Sequence, residues 1–206
     1  MAYRNKEKIL LKFNPDTDIV VVPECEKFGE QTSKRLWFGD NPKKGLGIFS
    51  YSDDYQFELS ALYDANFKYI VLIKIEGTIS FNLLAVWTKN DERDKNKAYT
   101  GQAWAFINKY KDDIFTRPTI IIGDFNCDKK LEDKTPWEGV GMTKIWDYLL
   151  KRNIDSVYHK HFNLGYGQEK DSTFFHIKKQ DRPFHIDWCF ASEDFLSNRN
   201  SSKVRE

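Results

Sequence analysis

Apolar and polar positions alternate in different ways along the chain, and each pattern predicts a different element. Over residues 5–13, Ile9, Leu10 and Phe13 recur among charges, which predicts a short amphipathic helix ended by Asn14-Pro15. Asp18-Ile19-Val20-Val21-Val22-Pro23 is continuous and β-branched, the pattern of a buried strand that delivers Glu24 at its end. From Leu36 to Trp87 short apolar runs alternate with turns: 36–38, 45–50, 55–63, 69–75 and 79–87. This predicts a meander of antiparallel strands, with Glu76-Gly77-Thr78 as a tight turn. Helical spacing returns with Tyr99, Ala103, Phe106, Ile107, Tyr110 and Ile114, which places an amphipathic helix over 98–114. A second helix follows from Met142, Ile145, Trp146, Leu149 and Leu150, after a polar, irregular stretch over 127–140. Residues 154–158, 172–177 and 184–191 read as further strands.

The most informative run is Thr119-Ile120-Ile121-Ile122-Gly123-Asp124-Phe125-Asn126. Three consecutive isoleucines after Pro118 predict a strand buried on both faces, as in a sheet covered by other layers. In extended backbone, residues two apart point the same way. A carboxylate and a carboxamide, Asp124 and Asn126, are thus expected together at the C-terminal edge of that strand. Open α/β sheets bind ligands at such edges.

Composition narrows the picture. The 206 residues are 40% hydrophobic and 16% aromatic, enough for one substantial core, and no linker or repeat divides residues 1–206, so a single domain is expected. Thirty-two basic and 31 acidic residues leave a formal charge of +1, which argues against a broad basic surface for gripping long duplex DNA. Three cysteines without paired spacing read as free thiols in a reducing compartment, and zinc is not supported. Cys25 and Cys127, each adjacent to a candidate site residue, are expected to pack away from it. With no leader and no membrane-length apolar run, a cytoplasmic location is expected. A monomer is expected as well.

Three strand ends carry acids: Glu24, Asp124 and Asp187, the last within Phe184-His185-Ile186-Asp187-Trp188. Hard divalent cations such as Mg²⁺ favour carboxylate oxygens. Phosphoester hydrolysis needs such a cation, a group to orient or deprotonate water, and donors for phosphoryl oxygens. Of the four histidines, His159 and His161 read as exposed side chains in or after a strand. His185 lies two residues before Asp187, shares its side in extended backbone, and is a candidate phosphate contact. The charge run 89–97 (KNDERDKNK) reads as a solvated loop.

These motifs resemble the endonuclease/exonuclease/phosphatase superfamily, which includes exonuclease III-like repair nucleases, deoxyribonuclease I and inositol-polyphosphate 5-phosphatases. The resemblance rests on Ile19-Val20-Val21-Val22-Pro23-Glu24, Ile122-Gly123-Asp124-Phe125-Asn126 and His185-Ile186-Asp187-Trp188, with the aromatic Ser172-Thr173-Phe174-Phe175 before the last. It implies a four-layer α/β/β/α sandwich, deoxyribonuclease I-like, and an Mg²⁺- or Mn²⁺-dependent phosphoesterase acting on nucleic acid or a small phosphoester. Glu24 would be the metal ligand, and Asp124 would orient or deprotonate water. Asn126 would bond nucleophile and phosphate, and Asp187 would orient a histidine. Asn90 sits where some members hold the phosphate. The family's first strand, ending in Asn, and its final Ser-Asp-His strand have no counterpart here, so the resemblance is to a member truncated at both ends. Two other readings follow from that departure: a catalytically impaired relative acting as a binding domain, and an incomplete gene product.

Overall fold

A computed structural model describes residues 16–59, 64–91, 94, 97–134, 140–179 and 181–197. Strands β1 (Ile19–Cys25), β2 (Arg35–Asn41) and β3 (Lys44–Ser50) form an antiparallel sheet in the order β1-β3-β2. Strands β4 (Tyr55–Leu59), β5 (Ile70–Gly77), β6 (Phe81–Trp87), β7 (Thr119–Asp124) and β8 (Ile154–Ser156) belong to a larger sheet. Its sixth strand is β11 (Asp187–Ser192), which follows the small hairpin of β9 (Phe174–Phe175) and β10 (Pro183–Phe184). The spatial order is β4-β5-β6-β7-β11-β8. β6 and β7 are parallel, so the chain must cross over between them, and it does so through helices α1 (Thr100–Lys109) and α2 (Lys111–Ile114).

The two faces of the large sheet bury different residues because side chains alternate along each strand. Ile70, Leu72, Leu84, Val86 and Ile121 pack on Phe106 and Ile107 of α1 and on Met142, Ile145 and Leu149 of α4 (Met142–Leu150). Val71, Ile73, Ile75, Leu83, Ala85 and Trp87 pack on Leu36, Phe38, Leu46 and Ile48 of the small sheet. Ile120 and Ile122 face the same way as this second set. The isoleucine strand is therefore covered on both faces, as its sequence predicts. The described residues form three layers, helix, large sheet and small sheet. The helix expected over 5–13 lies outside the described residues.

Three short helices depart from the sequence reading. Within the stretch expected to be irregular, α3 (Lys129–Lys134) begins where the Asp128 carboxylate accepts the Leu131 N–H at 2.8 Å. The expected strand over 154–158 stops at Ser156, which caps α5 (Val157–Phe162) by accepting from the His159 N–H. α6 (Glu193–Leu196) follows β11 directly. Helices this short carry too few turns to show a period, so caps decide them. The helix expected over 98–114 is broken at Tyr110 into α1 and α2.

Candidate active site

β7 and β11 pair so that Asp187 stands directly opposite Asp124. On the other side of β7, Asp124 is level with Trp87 of β6. The two acids face the small sheet, on the same side as Ile120, Ile122 and Trp87. Gly123 makes the close approach possible: its φ is +144°, and a Cβ there would fall 1.8 Å from the Val86 carbonyl oxygen.

Asn126 reaches Asp124 by a different route from the one the sequence suggested. β7 ends at Asp124, and Asn126 has a left-handed φ of 50°, so the two-residue strand rule does not apply. Instead the Asn126 N–H donates to Asp124 Oδ1 at 2.8 Å, while its side-chain Nδ2 donates to the Thr88 carbonyl at 3.0 Å. The Thr88 N–H donates back to the Asp124 carbonyl at 2.9 Å. Turn and strand end are thereby locked to one another.

Glu24 arrives from the small sheet, whose β1 packs across β7. It sits in a β-bulge between Val22 and Cys25 with φ +58°, a geometry that re-aims a side chain away from its strand's alternation. Its carboxylate is paired with Lys44 Nζ at 2.5 Å. Burial raises the Asp124 pKa, and the neighbouring charges of Asp187 and then Glu24 raise it further, to about 7. Asp187 and Glu24 are thus each close enough to Asp124 to act on its charge.

The backbone of Asp187 is held by Thr173, from the run Ser172-Thr173-Phe174-Phe175. Thr173 Oγ1 accepts from both the Ile186 and Asp187 N–H groups, at 3.0 and 3.1 Å. His185 corrects the sequence reading. It is buried, its Nδ1 bonds the Asp171 carbonyl at 2.9 Å, and its ring packs on Tyr158 and Trp188. β11 begins only at Asp187, so His185 and Asp187 do not share an extended face, and the ring points into the protein rather than to the rim. His159 is also not exposed. It is buried within α5, bonded to Ser156 Oγ at 2.8 Å and to Glu169 Oε1 at 2.9 Å, and stacked on Trp188.

Asn90 is exposed beyond β6. Lys89, in the run read as a solvated loop, behaves differently. Its N–H donates to Gln102 Oε1, and its Nζ lies 4.3 Å from the centre of the Tyr69 ring and 4.4 Å from that of Trp87. Only the fold could reveal this, because Tyr69, Lys44 and Trp87 come from three different strands or their flanks. Cys25 and Cys127 are buried free thiols, and burial pushes the Cys127 pKa up to about 12.

Among the described residues no three acid, histidine or cysteine side chains are preassembled around a metal position. The donors nevertheless suit a hard cation. They are carboxylates with mutually unfavourable charge, and Mg²⁺ is commonly held by only one or two of these plus water. No described helix is long and apolar enough to cross a membrane.

The same architecture is found in solved structures. The endonuclease domain of TRAS1, a telomere-specific non-LTR retrotransposon, superposes with TM-score 0.60 and 12% identity, covering 92% of this chain and 79% of its own. The 3′ phosphatase NExo from Neisseria, bound to a product DNA hairpin, gives 0.64 and 17%, covering 93% and 83%. A humanized TDP2 of D. rerio carrying 14 mutations gives 0.58 and 14%, covering 97% and 77%. No family model matches the sequence, and no curated protein matches it. The fold is the deoxyribonuclease I-like α/β fold that these structures share. The first of these is an endonuclease domain and the second a 3′ phosphatase.

Proposed function

We propose that this chain is a divalent-metal-dependent phosphoesterase that hydrolyses phosphodiester or phosphomonoester bonds in nucleic acid. The observation that carries the reading is the pairing of Asp124 with Asp187 at the rim, with Asn126 locked to the first. Asp124 takes the proton of the attacking water. A pKa of about 7 matches that task, because a base poised near the working pH combines the right protonation state with driving force. Burial and then the charge of Asp187 keep that pKa high, and Asn126 fixes the carboxylate through its backbone N–H. The second hydrogen of the Asn126 amide is the donor proposed for a phosphoryl oxygen, with the exposed Asn90 as a further contact. Glu24 would hold Mg²⁺ or Mn²⁺, which when bound supplies positive charge against the charge developing on the phosphoryl group. The three free thiols favour a reducing, cytoplasmic setting. We take the monomer to be the acting form.

The test is turnover of oligonucleotides carrying an internal phosphodiester or a 3′ phosphate, in Mg²⁺ and in chelator, for wild type and Asp124→Ala. Metal-dependent turnover lost in the variant is expected. Turnover that survives chelation, or an Asp124→Ala variant as active as wild type, overturns the assignment. A binding domain on the same fold is the second reading, favoured by the lack of a preassembled three-ligand group among the described residues. Any Asp124-dependent turnover removes it.

A further inference from the structure

Two lysine ammonium groups lie over one indole at the lip of this site. Lys89 Nζ is 4.4 Å and Lys44 Nζ 5.4 Å from the centre of the Trp87 ring. Trp87 is buried, and Tyr69 packs against it at 4.6 Å. Its electron-rich face is therefore not a free platform for a base. It is a seat that lets two like charges sit near each other. Lys68, which pairs with Asp40, adds a third ammonium beside them. Among the described residues Lys44 has Glu24 and Lys68 has Asp40, whereas Lys89 has no carboxylate partner. The cluster thus carries one positive charge more than its counter-ions supply. Burial, and then the charge of Lys44, lower the Lys89 pKa, and an anion beside it would offset the repulsion from Lys44.

The position of this seat decides what it receives. Neighbouring strands are about 5 Å apart. Trp87 stands on β6, Asp124 on β7 and Asp187 on β11, in that order across the rim. The ammonium pair is centred one strand to the side of Asp124 and two strands from Asp187. It lies beside the proposed reacting centre, on the flank away from Asp187.

We infer that Lys44 and Lys89, seated on Trp87, form a subsite for a backbone phosphate that flanks the reacting one, so that a nucleic-acid strand is held at two phosphates. This rests on the phosphoesterase reading and deepens it by fixing the substrate as a chain with more than one phosphate. A small monophosphate fills the reacting centre and leaves the seat empty. With Glu24 committed to a cation, Lys44 would be released from its ion pair to join Lys89 on the strand.

The experiment measures binding rather than turnover. An Asp124→Asn protein is titrated with a labelled single-stranded DNA oligonucleotide and, by competition, with a mononucleotide, over a range of salt concentrations. In that background Lys89→Met and Lys44→Met are expected each to weaken the oligonucleotide by about tenfold, the loss typical of one charge-assisted contact. Each should also lower the log–log salt slope by about 0.7, the value for one single-strand phosphate contact. Mononucleotide affinity should not change in Lys89→Met, whose lysine pairs with no proposed metal ligand. Lys74→Met, which removes the partner of Glu58 on the far side of the sheet, serves as the charge control and should change neither. Unchanged oligonucleotide affinity and slope in both lysine variants overturn the subsite. Equal losses for oligonucleotide and mononucleotide in Lys89→Met also overturn it, because that lysine then holds the reacting phosphate. If the subsite behaves as expected while wild type hydrolyses nothing, the binding inference stands and the catalytic reading falls.

Discussion

Trp188 separates two clusters of titratable side chains that are built on opposite principles. On one side are Ser156, His159 and Glu169, a serine–histidine–acid chain with bonds of 2.8 and 2.9 Å. Burial opposes charge on Glu169, but the bonds from His159 and the Gly167 N–H outweigh it, and its pKa lies below the usual carboxylate value. His159 is also stacked against Trp188 and edge-on to Trp146. Both ring nitrogens of His159 have a partner, and His159 is only 2% exposed. On the other side are Asp124, Asp187 and Glu24, whose charges oppose one another. Beside them the Thr88 hydroxyl is buried without a hydrogen bond, and left-handed backbone occurs at Glu24 and Asn126. The first cluster has the residue types of a hydrolase triad but acts as a clamp. The second is electrostatically unsettled and open to the rim. Residue identity alone does not separate them; satisfaction and access do.

That contrast is open to direct attack. The largest effect expected is on turnover: Asp124→Ala should lower kcat by about 10²–10⁴, the range for removing a general base, while the protein stays folded. A comparable loss in Ser156→Ala would reverse the two roles. Next is stability. His159→Ala leaves Glu169 charged and buried, at a cost of about 3–5 kcal/mol. For a chain of this size that lowers Tm by roughly 6–20 °C, since each kcal/mol is worth about 2–4 °C. A thermal melt followed by circular dichroism checks it. Thr173→Val strips the acceptor from two N–H groups and should cost about 1–3 kcal/mol, with kcat falling and KM holding, whereas Thr173→Ser restores both.

Smaller effects should have the opposite sign at the rim. The Asp124 pKa is raised from 3.8, so the folded state holds its proton to higher pH than the unfolded chain does. Below pH 4 both states are protonated and nothing is lost. As pH rises from about 4 to about 7, the unfolded state loses its proton first and stability falls. Asp124→Asn should therefore raise Tm at pH 8 and leave it unchanged at pH 3.5. A variant that melts lower at pH 8 would mean that the rim acids support one another. The smallest change is Thr88→Val. Removing a buried hydroxyl that bonds nothing should shift stability by less than about 0.5 kcal/mol, or raise it slightly, in denaturant melts.

Much of the fold could be read from pattern alone where an element was long or buried on both faces. The isoleucine run, the strand meander over 36–87 and helix α4 belong here. Burial on one or both faces writes a period into sequence, and these elements have enough residues to display it. α3, α5 and α6 have six residues or fewer, and a single cap, such as Ser156, turned an apparent strand into a helix. At the site, Asp124 and Asp187 were legible as acids at strand ends. Their direct opposition was not, because register depends on pairing between distant segments. Lys44 and Lys89 carried no local signal, and the run around Thr173 was legible as a strand but not as a clamp on the Asp187 backbone. His185 was misplaced because strand alternation was applied to a residue that lies before the strand begins.

The Asp124–Asp187 ladder has a kinetic consequence. The two residues are about sixty positions apart, and β11 is the last strand among the described residues. Loop closure over that length must be met before the pair exists, and the two acids repel as they approach. Trp188 and Phe190, buried just beyond, supply the apolar drive that brings β11 home. A chain still lacking that strand has its helices and most of its sheet but not its paired acids. The facing acids at the rim thus come together late in folding.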